Sequence, residues 1–191
     1  MNDTITIGFA MTGSYCTFKK IFPQIEALVN NGYNVIPIVS DNVLSTDTRF
    51  GRADDHLSKL FNLTNNQVIS SIPMAEPIGP KKLLDLLVIA PCTGNTIAKL
   101  ANGIADTTVT LATKSHLRNH RPVVIAVSTN DGLGANASNI GTLLARKHIY
   151  MVPFGQDDCK EKENSLVAHF DQILPTIELA LKKKQIQPVL I

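Results

Sequence analysis

Along this chain, short apolar β-branched runs alternate with segments whose apolar residues recur at helical spacing. Thr4 to Met11 (TITIGFAM) is a near-continuous apolar run, the signature of a strand buried on both faces. After the turn Thr12-Gly13-Ser14-Tyr15, Phe18, Ile21, Phe22, Ile25, Leu28 and Val29 mark one face of a helix. Pro23 sits near its start, where proline is tolerated, and Asn31-Gly32 closes it. Tyr33 to Val39 reads as a second strand, Ser40 to Phe50 as a polar loop, Arg52 to Phe61 as a helix and Gln67 to Ile72 as a short strand. Pro73 to Pro80 is rich in proline and predicts irregular chain. Leu86 to Ala90 is a buried strand that runs through Pro91–Thr96 into a helix with Ile97, Leu100 and Ala101 inward and Lys99 outward. Asp106 is placed to cap a helix that reaches Leu117. Pro122 to Val127 predicts a strand, Ser138 to Lys147 a helix, Ile149 to Val152 a last strand, and Pro153 to Glu163 a polar loop. Leu166, Phe170, Ile173, Leu174, Ile177 and Leu181 form the stripe of a C-terminal helix despite Pro175.

Strands that alternate with helices predict one domain over residues 1–191: a three-layer α/β/α sandwich with a parallel sheet of about five or six strands. Such sheets bind ligands outside the carboxyl ends of their strands. Function is therefore to be sought in the loops at 12–16, 40–50, 91–96 and 128–137.

Composition narrows the classes. At 44% hydrophobic and 18% charged residues over 191, the chain can bury a full core and is not disordered. A net charge of +2 excludes the basic field of a nucleic-acid binder. Aromatics at 5%, with no Trp, argue against stacking platforms for bases. The longest apolar stretch, Leu83 to Ala90, is interrupted by Asp85, so no membrane span is expected. MNDTITIGFA lacks a basic leader and reads as the first strand. Cys16, Cys92 and Cys159 are an odd, widely spaced set, which argues against a disulfide framework and for a cytoplasmic protein. The five histidines show no ligand spacing, and Lys182-Lys183-Lys184 suits a solvated helix end.

Each candidate loop carries two readings. Gly8 to Ser14 has the GxxxxG spacing of a P-loop but no following Lys, so a triphosphate site is disfavoured. The Thr12-Gly13-Ser14 turn remains either a phosphate site built of backbone N–H groups and a hydroxyl, or a tight turn with Ser14 as N-cap. Gly132-Leu133-Gly134-Ala135-Asn136-Ala137 matches GxGxxA, either as a dinucleotide loop or as a flexible loop near a ligand. In Pro91-Cys92-Thr93-Gly94-Asn95-Thr96, Thr93 or Asn95 can cap a helix or face a ligand. Cys92 reads as a nucleophile activated by the helix end or as a small buried side chain.

Taken together, TGSY after the first strand, Ser40 after the second, and APCTGNTIAKLANGIADT (Ala90 to Thr107) resemble the homo-oligomeric flavin-containing cysteine decarboxylase family, whose loop reads A-P-A-T-A-N-T-I-A-K-L-A-x-G-I-x-D. The resemblance implies a Rossmann-like flavoprotein fold, an FMN cofactor, and trimers or multiples of them with flavin near subunit interfaces. It carries cofactor contacts onto Thr12, Gly13, Ser14, Ser40, Pro91, Thr93, Gly94 and Asn95, with Gly94 where the family has Ala. It carries a substrate-carboxylate contact onto Asn130, although Val127, Ser128 and Thr129 replace the family's P-x-M. The family's decarboxylases carry a catalytic His eight residues before the acidic residue that opens the third strand, here Asp85, and that position is Pro77.

SxxTRFG (Ser45 to Gly51), AEPIGPK (Ala75 to Lys81), RPVVIAVSTNDGLG (Arg121 to Gly134), VPFGQDD (Val152 to Asp158) and the terminal QIQPVL are similar to one branch of that family. This likeness implies the B subunit of a two-subunit oxidoreductase acting on a small dicarboxylate. Its A subunit resembles a nicotinamide-binding dehydrogenase and would hold NAD(P). The alternatives are an FMN-dependent decarboxylase-like flavoprotein, with His56 as a substitute histidine, or a non-catalytic scaffold for the A subunit. No catalytic residue and no metal ligand is assigned.

Overall fold

The computed structural model describes residues 4–191. Its centre is five parallel strands in the order β2-β1-β3-β4-β5: β1 (Thr6–Met11), β2 (Asn34–Val39), β3 (Leu86–Cys92), β4 (Val123–Thr129) and β5 (Ile149–Met151). Every residue of β3 is buried, as a central strand covered on both faces requires. Helices α1 (Phe18–Asn30), α3 (Ala53–Thr64), α5 (Gly94–Ala101), α6 (Thr108–Leu117), α7 (Ala137–Leu144) and α8 (Ile173–Leu181) cover the sheet, with short turns α2 (Asp41–Ser45) and α4 (Ile72–Ala75) between. The α/β/α expectation holds, and one apolar core runs through it from Ile7 to Ala180. Among the described residues no helix is long and apolar enough to cross a membrane.

The structure corrects the region after β5. Pro153 to Glu163 is not a loop: Phe154–Asp158 and Lys162–Ala168 form an antiparallel hairpin, β6 and β7. Strand β7 pairs with the carboxyl end of β4, Ser128 with Val167 and Thr129 with Leu166, beyond the residues that β5 pairs with. The sheet is thus mixed and seven-stranded. Leu166 belongs to β7, and the C-terminal helix begins at Ile173 after a 3-10 turn at Phe170–Gln172. The polar residues of β6 misled the pattern because that strand is exposed at Gln156 and Asp157 and alternation is blurred.

Smaller differences have local causes. Gln67 to Ile72 forms only an isolated bridge, Ile69 to Ile38, and Ser40 to Phe50 contains α2. Thr107, not Asp106, caps α6: its hydroxyl accepts from Thr110 N–H while the Thr110 hydroxyl accepts from Thr107 N–H, a closed capping box. Asp106 instead takes Lys99 at 2.8 Å, which lowers the Asp106 pKa and turns Lys99 along the surface.

Candidate functional site

Parallel strands deliver their carboxyl ends to one edge of the sheet, and there a cleft of about 750 Å³ opens. Gly13 and Ser14 after β1, Thr93, Gly94 and Asn95 after β3, and Asn130 after β4 all line it. Loops far apart in sequence meet because β1 and β4 both pair with β3. The hairpin adds Ser165, Leu166 and Lys162 as a further wall, which the sequence pattern did not anticipate. A volume of this size suits a cofactor and a small substrate together.

The first turn is braced rather than loose. Thr12 is buried, and its hydroxyl donates to Pro91 O at 2.7 Å and accepts from Thr93 N–H at 3.0 Å. Thr12 and Pro91 therefore join the β1 and β3 loops and do not line the cleft. Ser14 is not a helix N-cap by its side chain: its hydroxyl shares a 2.8 Å hydrogen bond with Ser128 of β4. Ser40 lies outside the cleft lining, its N–H donating to Met11 O at 3.1 Å, and its buried hydroxyl has no partner. An unsatisfied buried hydroxyl is costly unless something supplies the bond.

Thr93 takes the N-cap position of α5 but makes no capping bond with its side chain; its hydroxyl shares a 3.2 Å bond with Thr96. Gly94 is forced to be glycine by its neighbours. A Cβ there would lie 2.5 Å from Thr129 Oγ1, 2.6 Å from Asn136 Nδ2 and 2.8 Å from Asp131 Oδ1. Those three side chains form one network: Thr129 Oγ1 donates to Asp131 Oδ1, and Asn136 Nδ2 donates to Asp131 Oδ2 at 2.8 Å. Backbone N–H groups of Gly134 and Asn136 bond Asp131 O, so the loop after β4 is folded around Asp131. Asn130, exposed and flanked by this brace, lines the cleft, and its side chain has no hydrogen-bond partner among the described residues. Of residues 127–129, it is Thr129 whose side chain leaves no room for a Cβ at Gly94.

Cys92 is fully buried, and burial pushes its thiol pKa far up, so it stays a protonated thiol and the nucleophile reading falls. His56 is buried between Phe18 and Phe22, 4.9 and 6.1 Å between ring centroids, with Nε2 unpartnered; burial lowers its pKa, and it does not line the cleft. Pro77 lies in the 3-10 turn Glu76–Ile78, also outside the cleft lining. Among the described residues no group of three or more His, Cys, Asp or Glu side chains is placed to hold a metal ion.

The residues present fit a flavin mononucleotide. The cleft has the volume, and at the start of the helical turn before α1 Gly13 lines it with its backbone and Ser14 with a hydroxyl that is shared with Ser128, while the Ser14 N–H is taken by Thr12 O.

The Flavoprotein family model matches residues 1–178. The chain is 51% identical to the B subunit of dipicolinate synthase from Bacillus subtilis over 97% of its own length and 92% of that protein. It superposes on the crystal structure of the dipicolinate synthase B subunit from Bacillus halodurans with a TM-score of 0.91 at 47% identity, covering 100% of this chain and 98% of that one. An FMN-dependent cysteine decarboxylase, SpaF, shares the fold alone: 20% identity and a TM-score of 0.64 over 93% of this chain and 95% of that one.

Proposed function

The chain belongs to the flavoprotein family, and on that premise we propose that it serves as the B subunit of a dipicolinate synthase, holding FMN and a dicarboxylate in one cleft. The observation that carries the reading is the convergence of Gly13–Ser14, Thr93–Asn95 and Asn130 on that cleft, in a chain 51% identical to such a subunit. Gly13 and Ser14 of the turn after β1 take the FMN phosphate. Thr93, Gly94 and Asn95 face the flavin ring, and the missing Cβ of Gly94 makes room for the Thr129–Asp131–Asn136 network behind it. Asn130, held out by the Asp131 brace, donates its two amide N–H bonds to a substrate carboxylate.

Oxidising dihydrodipicolinate to dipicolinate removes two electrons and two protons from the ring. FMN, held by Gly13, Ser14 and Thr93–Asn95, would supply a two-electron acceptor; NAD(P) would belong to the partner A subunit. The chain's own groups bind and orient, and among the described residues no unpaired acid–base pair lines the cleft. The setting is the cytoplasm of the mother cell in a sporulating bacterium, as a homo-oligomer of trimers or their multiples together with the A subunit. Steady-state rates of dipicolinate formation by each of the two subunits separately and by the mixture test the assignment. Only the mixture should turn over at full rate. Asn130→Leu should lower kcat/KM of the mixture by the equivalent of about 1.5–3 kcal/mol, the usual value of a hydrogen bond to a charge. Full activity of the A subunit alone sinks the catalytic reading and leaves a scaffold.

A further inference from the structure

Asn130 can hold one carboxylate, and a dicarboxylate has two. The cleft contains four charged side chains: Lys20 of α1, Asp131, Asp157 of β6 and Lys162 of β7. Asp131 is already satisfied on both oxygens by Thr129 and Asn136. Asp157 Oδ2 accepts from Lys162 Nζ at 2.7 Å, and the bond keeps the Lys162 ammonium firmly charged. Lys20 has no anionic partner among the described residues and lines both this cleft and the neighbouring one, as Asp157 does. The hairpin reaches this position only because β7 pairs antiparallel with the end of β4: Ser165 Oγ donates to Thr129 O at 3.3 Å, and Leu133 N–H donates to Asn164 O at 3.0 Å. Lys162 is three residues from Ser165 along β7, or about 10 Å of strand, and a lysine side chain can span much of that.

We propose that Lys162, with Lys20 on the lining of the same cleft, forms the second carboxylate site, and that Asp157 is a built-in carboxylate which occupies Lys162 until the substrate displaces it. The inference rests on the function proposed above. Asp157 already shows a carboxylate at hydrogen-bond distance from Lys162. An incoming carboxylate exchanges one such bond for another and also meets the unpaired Lys20. Both lysines are anion sites, and the FMN phosphate is the competing occupant, so cofactor and substrate are titrated apart.

The experiment uses the wild-type chain, Lys162→Met, Lys20→Met and Asp157→Asn, each loaded with FMN and each assayed also as the mixture with the A subunit. Dipicolinate binding is followed by calorimetry at low and high salt, and FMN binding by quenching of flavin fluorescence. Lys162→Met should weaken dipicolinate binding about tenfold, the value of one hydrogen bond to a charge, with FMN affinity unchanged. Lys20→Met should weaken it less, and Asp157→Asn should tighten it, because the internal competitor is gone. Benzoate, with one carboxylate, should bind weakly and respond little to Lys162→Met. Equal loss of FMN and dipicolinate affinity in Lys162→Met would show that the lysines serve the phosphate, and overturns the proposal. Unchanged dipicolinate binding in Lys162→Met also overturns it while the cleft's assigned role survives. A wild-type chain that binds no dipicolinate, alone or mixed, overturns both.

Discussion

Replacing Gly94 by alanine is the sharpest test of the brace behind Asn130. The added Cβ would sit at 2.5–2.8 Å from Thr129 Oγ1, Asn136 Nδ2 and Asp131 Oδ1, distances that real Cβ atoms do not tolerate. None of the three is the free end of a long side chain; all are held to one another through Asp131. Making room breaks at least one hydrogen bond to a carboxylate, about 1.5–3 kcal/mol, and adds overpacking of about 1–3 kcal/mol. Alanine returns up to about 1 kcal/mol as a better helix former, less at this first residue of α5. The net expectation is a loss of about 1.5–6 kcal/mol. For a chain of this size each kcal/mol moves Tm by about 2–4 °C, so a drop of roughly 3–24 °C is expected in thermal unfolding followed by circular dichroism. Thr129→Ala removes the nearest atom, so Gly94→Ala/Thr129→Ala should cost clearly less than the two single changes added together. An unchanged Tm in Gly94→Ala, or strict additivity in the double variant, refutes the idea that glycine at 94 and the Thr129–Asp131–Asn136 network depend on each other.

Other outcomes follow from single side chains. Ser14→Asp puts a carboxylate where the phosphate is placed, and at about 4 Å two such charges repel by about 1–4 kcal/mol, so calorimetric FMN affinity should fall at least several-fold; equal affinities would place the phosphate elsewhere. His116 is wholly buried with Nδ1 unpartnered and its Nε2–H donating to Pro122 O at 3.1 Å, and burial lowers its pKa to about 4. The unfolded chain therefore takes up a proton here below the ordinary histidine pKa of about 6.5 that the folded chain refuses until pH 4, so stability should fall by up to about 3 kcal/mol as pH drops through that window. His116→Gln, which keeps the bond to Pro122, should flatten that slope in urea titrations at several pH values. Incubation with FMN and a cysteine peptide or phosphopantothenoylcysteine should yield no loss of carbon dioxide by mass spectrometry, since the Pro77 side chain offers no donor or acceptor at the position where the resemblance implies the decarboxylases' histidine; turnover at ordinary enzyme rates would return the chain to that branch.

The parallel core was legible because its strands are buried on both faces and its helices on one. Those two environments impose different spacings on apolar residues, and Leu86–Ala90 and Phe18–Val29 carry them without ambiguity. The strand-end loops were legible for a related reason: a parallel sheet sends them all to one edge, so Gly13, Thr93 and Asn130 could be grouped before any contact was known. What the sequence could not decide was the division of labour among the hydroxyls and carboxylates at that edge. Thr12 is consumed in joining two loops, Ser14 reaches across to Ser128, and Asp131 is folded into its own loop. Each of these bonds links residues brought together by strand pairing or by a folded loop, and no spacing along the chain encodes them. The hairpin was missed for the same reason. An exposed strand of Gly, Gln and Asp looks like a loop until the carboxyl end of β4 offers it backbone partners, and only that pairing brings Lys162 to the cleft.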